Sequence, residues 1–280
     1  MTRSGRVEEA KIIFEQLKKD FPDSTFSHQG LADIYFSQGS IVGALRETQK
    51  AVKLSPDNQH FVYSLVAQML QLGLSDSINK QKDLPAWKEA IDYYYANLLI
   101  LEEDFDTLFK HMDFQLAANP DDYQLNFEAG WYHAMYGDKN KSYLLLTEKK
   151  NLIDDADTFF MPLCSPAIEI AWAEQALGNT EIAQTMIKKC EGLMNLQRKS
   201  SISYFELDYL AARIYSLKGQ TEPALQALTE ATNNGWREWW TKHDPLLNGL
   251  SNEPKFNELL QLIDDDLSKQ KAEALSLFDE

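Results

Sequence analysis

The chain has 280 residues, 44% of them hydrophobic, which is enough apolar material to bury a large core. Only 12 glycines and 9 prolines interrupt stretches rich in Ala, Leu, Glu, Lys and Gln, so the composition favours helices. A formal net charge of −16, with no Lys/Arg stripe interleaved with aromatics to offset it, excludes direct nucleic-acid binding from the expected functions.

In chain order, Met1-Thr2-Arg3-Ser4-Gly5-Arg6 leads straight into an amphipathic segment, Val7 to Asp20, without the apolar run of a secretion signal. The longest apolar runs, such as Tyr93 to Leu101, fall well short of the roughly 20 residues that cross a bilayer, so no membrane span is expected. An internal period then becomes visible. Pro22 and Pro56 are 34 apart, as are Gly5 and Gly39, Ala10 and Ala44, and Gly39 and Gly73. Counted from each turn glycine, the residue seven before is Ala32, Val66, Gly130, Ala171 or Ala212, mostly small, as closely crossing helices require. Five after come Ala10, Ala44, Ser142, Ala183 and Ala224; twelve after come Leu17, Ala51, Lys149, Cys190 and Ala231, where Lys149 breaks the pattern.

Between Gly73 and Gly137 the spacing is 64, close to two units, and the polar stretch Ser75 to Leu84 is poorly patterned. An irregular joint is expected at about 74–87, holding either a short second helix or a crossover loop. From Gly137 through Gly178 to Gly219 the period is 41, about two helical turns longer, which predicts longer helices. Asp57-Asn58, Asp121-Asp122 and Asn179-Thr180 offer N-terminal caps, and glycines 39, 137, 178 and 219 suit the left-handed position that ends a helix. Beyond Gly235, Trp236, Trp239 and Phe256 predict a cap, with Phe256, Leu259, Leu260 and Ile263 inward and Asp264 to Asp266 outward.

On this ladder the chain resembles the tetratricopeptide repeat family, best over Thr25 to Pro56. The resemblance implies an all-α fold: a right-handed superhelix of about six antiparallel helix pairs closed by a C-terminal capping helix. Repeats run from about 5 to 235 and the cap from about 236 to 280, in one body covering 1–280. The match is degenerate: where the family prefers an aromatic, Tyr35 and Tyr215 comply and Met69, His133 and Glu174 do not. The closing segment is similar to those of many bacterial tetratricopeptide arrays, including the sensory halves of membrane-bound winged-helix regulators of the CadC type. Val7 to Asp20 reads as the second helix of a repeat, so the chain is expected to be either the C-terminal part of a longer protein or to open on a divergent cap.

No catalytic constellation is written in the chain: there is no GxSxG, HExxH, Walker loop or GxGxxG. The five histidines share no i, i+4 spacing, and the carboxylate runs Glu102-Glu103-Asp104 and Asp264-Asp265-Asp266 lack a calcium-loop pattern, so they read as solvated helix ends. No enzyme activity, metal or cofactor is implied. Cys164 and Cys190 are 26 apart and are expected to be buried, unbridged thiols; a disulfide between two helices of one repeat is the alternative in an oxidising compartment. The basic clamp by which chaperone-binding family members hold a terminal carboxylate is replaced here by Gln29, Asp33, Tyr63 and Ala67, although Arg213 could hold a carboxylate elsewhere.

The expected function is therefore a scaffold that binds a neutral or basic protein or peptide segment in a concave groove. In the family, residues ten and six before each turn glycine line that groove, which assigns Tyr63, Phe127, Trp131, Trp172, Tyr209 and Arg213 to the site. The alternative is the sensory half of a membrane-bound regulator. A cytoplasmic location goes with the first reading and a periplasmic one with the second.

Overall fold

The computed structural model describes residues 7–148, 164–199 and 205–277, so Gly5 and Lys149 of the repeat ladder lie outside the described residues. The described residues form an all-α, tetratricopeptide-like series of helices packed in neighbouring pairs: α1 (Val7–Asp20), α2 (Thr25–Ser37), α3 (Ile41–Leu54), α4 (Gln59–Gln71), α5 (Ser75–Asn79), α6 (Pro85–Tyr93), α7 (Tyr95–Leu101), α8 (Phe105–Ala118), α9 (Tyr123–Tyr136), α10 (Lys139–Glu148), α11 (Ala167–Ala176), α12 (Thr180–Lys199), α13 (Phe205–Leu217), α14 (Thr221–Asn233) and α15 (Pro254–Ser276). Two 3-10 segments, Trp239–His243 and Pro245–Leu250, separate α14 from α15. The irregular joint resolves as a short helix, α5, followed by turns up to Pro85. In the period from Gly178 to Gly219 the extra length goes into α12, at 20 residues, while α13 has 13; in the period before it α11 has 10, and residues 149–163 lie outside the described residues.

These residues fall into two compact units, one drawn from 1–104, 234–239 and 261–280, the other from 105–233 and 240–260. In both units the small residues of the ladder mark the helix crossings. Ala32, Ala44 and Ala51 are buried between α2 and α3, and Ala212, Ala224 and Ala231 between α13 and α14. A side chain on Gly130 would meet Leu146 of α10 at 2.9 Å, which is why that crossing demands glycine.

Gly39, Gly73, Gly178 and Gly219 hold the left-handed conformation expected of helix stops, with φ between 64 and 83°. Gly137 does not: its φ is −135°. Space decides there, because a Cβ on Gly137 would lie 2.5 Å from Phe109 and 2.6 Å from His133. Asn58 and Asp122 cap α4 and α9 as expected, accepting from the amides of His60 and Leu125 at 3.1 and 3.0 Å. Asn179 instead donates its side-chain amide to Glu174 at 2.6 Å.

The first unit recruits its N-terminal helix cap from far along the chain. Ser40 at the start of α3 makes no side-chain cap bond. Gln270 of α15, 228 residues away, accepts from the Val42 amide at 3.0 Å and donates to the Gly39 carbonyl at 2.8 Å. Ile263, Leu267 and Ala274 are buried along the same helix, and Trp236 is buried in this unit too. The expected cap of the last repeat is thus divided: Gly235 packs on the Gln38-Gly39 turn and the Arg237 carbonyl accepts from Gln71, while Phe256 and Leu259 are buried in the second unit.

Candidate binding surfaces

In the second unit α9 presents Tyr123, Phe127 and Trp131 at successive i, i+4 positions. Tyr123 and Phe127, with Tyr143, Trp172 and Met186, pack around the buried Leu146, Ile170 and Ala173; the Trp172 ring lies 5.0 Å from that of Tyr143. Phe127, Trp131 and Trp172 are each half-buried.

Trp131 rests on the guanidinium of Arg213, whose carbon lies 5.2 Å from the ring centroid. Arg213 is only 1% exposed and is held between two carboxylates, Glu169 at 2.7 Å and Asp244 at 3.0 Å. Burial works against its charge, but the Asp244 and Glu169 carboxylates outweigh it and hold its pKa above the ordinary guanidinium value. Tyr209, fully buried, donates to Asp244 at 2.6 Å and meets Trp240 edge-on at 5.7 Å. Ser165 donates to Glu169 at 2.7 Å, whereas the other Glu169 oxygen has no hydrogen bond among the described residues. Burial, and then Glu169, raise the Tyr123 phenol above its ordinary value.

The segment Trp240–Leu250 therefore packs on α13, with Asp244 on Tyr209 and Arg213, and Gly249 beside Ser216. Arg213 does hold carboxylates, but they are the chain's own. Of the six residues the sequence assigns to a groove, Phe127 and Trp172 pack, partly buried, against Leu146, Ile170 and Ala173, and the partly buried Trp131 rests on Arg213. Tyr209 and Arg213 are interior, and Arg213 lies against the Trp131 ring. Tyr63 belongs to the first unit, where its hydroxyl donates to Glu89 at 3.4 Å and its ring stands 5.2 Å from that of Tyr93. The residues missed from sequence are Glu169, Asp244 and Trp240. Glu169 left a signal: a lone carboxylate in the apolar run Ala167 to Ala173 requires a buried cation.

The cysteines correct another expectation. Cys164 and Cys190 form a disulfide, with Cα atoms 5.7 Å apart. α12 runs back along α11, so residues nearly equidistant from the Gly178 turn face each other, and these are Cys164 and Cys190. Cys164 does not begin a helix: it occupies the turn before α11, at φ 54°. That placement brings it opposite α12.

Residues 1–24 match the tetratricopeptide repeat family. The helix pairs carry the same architecture through the rest of the described chain. The fold is tetratricopeptide-like. No curated protein matches the chain in sequence. Among the described residues of this tetratricopeptide-like fold, no helix is long and apolar enough to cross a membrane.

Proposed function

We propose that this chain is a protein- or peptide-binding scaffold whose contact surface centres on Phe127, Trp131 and Trp172. The observation that carries the reading is Trp131 stacked on Arg213: the guanidinium is clamped by Glu169 and Asp244, so one face of a half-exposed indole is fixed before any partner arrives. A preorganised aromatic anchor loses little freedom on binding, and such anchors dominate interface energies. Arg213 and Tyr209 act here as positioning residues. The net charge of −16 favours a basic or neutral segment and disfavours nucleic acid. Tetratricopeptide repeats are generally recognition modules, which supports the scaffold reading.

Selection of displayed peptides on the full chain tests this. Enriched segments are expected to be neutral or basic, and Trp131→Ala and Trp172→Ala are each expected to weaken their binding by about tenfold or more while the melting temperature stays nearly constant. Unaltered binding in both variants, or collapse of the fold, assigns these rings to packing and removes the surface.

A second reading, the sensory half of a membrane-bound regulator, has one observation in its favour. The Cys164–Cys190 disulfide suits an oxidising compartment such as the periplasm. Recovery of free thiols at both positions from rapidly alkylated cells would remove that support.

A further inference from the structure

We infer that Tyr63, Tyr93 and Tyr94, with Glu89 beside them, form a site in the first unit that receives an alkylammonium group, carried by a lysine side chain or by a methylated or quaternary amine. All four residues belong to 1–104, so the site lies within one compact unit and shares no residue with the aromatic surface proposed above.

The rings meet because a helix stops between them. α6 ends at Tyr93 and α7 begins at Tyr95, which leaves Tyr94 between the two helices. Adjacent residues of an unbroken helix do not face each other. Here the Tyr93 and Tyr94 rings stand 4.8 Å apart at 88°. Tyr63 comes from α4, which packs on α6, and its ring lies 5.2 Å from that of Tyr93 at 67° and 6.2 Å from that of Tyr94 at 60°. Three steeply inclined rings thus present π faces in different directions over one small area. Tyr93 is 64% exposed, while Tyr63 and Tyr94 are partly buried, so the cluster meets solvent.

Charge selects the ligand. A ring face carries the negative lobe of the aromatic quadrupole and attracts a cation placed within about 6 Å of its centre. The Tyr63 hydroxyl donates to the exposed Glu89 carboxylate at 3.4 Å. Lys88, next to Glu89 in sequence, bonds Asp92 instead, at 2.5 Å. Among the described residues Glu89 has no ion-pair partner and no lysine or arginine lies over any of the three rings. Desolvation first, then Glu89, with Tyr93 and Asp92 after them, hold the Tyr63 phenol above its ordinary pKa; the two carboxylates make the local field negative. Shape narrows the class further. A planar guanidinium stacks on one face at a time, whereas a tetrahedral ammonium projects its substituents in several directions and suits faces inclined at 60 to 88°.

The test uses the full chain with carbon-13-labelled tyrosine rings, titrated in NMR with choline, n-butylammonium, n-butylguanidinium and the neutral carbon analogue of choline. Tyr63→Phe, Tyr93→Phe and Tyr94→Phe assign the three ring signals. At least one ammonium probe is expected to shift these signals to saturation and to bind about fivefold or more tighter than the neutral analogue. Tighter binding of choline assigns the site to a methylated or quaternary amine, and tighter binding of n-butylammonium to a lysine. Tyr93→Leu, which keeps an apolar side chain but removes a π face, is expected to weaken binding about fivefold or more, and Tyr93→Phe to preserve it. Glu89→Gln is expected to weaken it about threefold. Melting temperatures are expected to stay constant because both positions are exposed, and either variant decides if the other fails to fold. Trp131→Ala is expected to leave ammonium binding unchanged, so failure of this site and failure of the aromatic surface are distinguishable. Failure of both ammonium probes to saturate, equal binding of the neutral analogue, tighter binding of n-butylguanidinium than of either ammonium, or indifference to both Tyr93→Leu and Glu89→Gln overturns the proposal.

Discussion

At the scale of single residues, Arg213 shows how an interior charge is retained: one guanidinium answers two carboxylates, Glu169 and Asp244, from different segments. Arg213→Met leaves both acids buried without a cation and is expected to cost about 3–5 kcal/mol in urea unfolding. A loss under about 1 kcal/mol would mean that water reaches the pair. His133 sets a pH dependence. Its Nδ1 accepts from the Asp138 amide at 3.3 Å and its ring stacks on Phe109 at 4.2 Å. Burial, with Lys141 adding to it, lowers its pKa below the ordinary value of 6.5, and Asp113 and Asp138 oppose this only in part. As pH falls through that value the unfolded chain takes up the proton first, so stability is full above it and declines toward the lower folded value. Denaturation at about pH 7.5 and about pH 5.5 is expected to show this loss, and His133→Phe to flatten it. A more acidic window belongs to Glu47. Burial alone would raise its pKa, but hydrogen bonds from Lys18 and His28 outweigh burial and lower it, so its contribution is lost as pH falls through that depressed value.

Elements are held together here by contacts that local sequence does not announce. The disulfide between the turn before α11 and the middle of α12 closes a 26-residue separation, and its reduction is expected to destabilise the second unit by about 3 kcal/mol. Peptide mapping of unreduced protein that finds both thiols free would refute the linkage. α3 takes its missing cap from α15, and this sets a contrast along one helix. Gln270→Ala strands the Val42 amide and the Gly39 carbonyl and is expected to cost about 1–3 kcal/mol. Lys271→Ala removes an exposed bond to the Gly73 carbonyl and is expected to cost under about 0.5 kcal/mol. Equal losses from the two substitutions would show that α15 is held by its apolar residues alone. Gly137 teaches a related lesson: sequence marks it as a turn glycine, and it is one, but for lack of room rather than for a left-handed φ.

Over the whole molecule, charge and periodicity were readable before any coordinates. With a net charge of −16, duplex DNA at low salt is expected to keep its electrophoretic mobility in the presence of the chain, and a retarded band would reveal a basic face that composition hides. The all-α class, the helix pairs and their small-residue crossings followed from sequence, because side chains on a helix repeat every 3.6 residues and two axes approach closely only over Ala, Gly or Ser. Ala32 with Ala44 and Ala212 with Ala224 needed only counting. The partners of Arg213, the pairing of Cys164 with Cys190 and the capping of α3 by Gln270 could not be counted out. Each joins residues from separate segments, and whether they meet depends on helix register and on the path of the irregular segment after α14. Local periodicity constrains which face of a helix is buried; it carries no term for which distant side chain arrives there. The aromatic set divided for the same reason: Phe127 and Trp172 pack on one apolar cluster and Trp131 on Arg213, while Asp244 draws Tyr209 and Arg213 into the interior, because a buried charge must find its counter-charge wherever the chain supplies one.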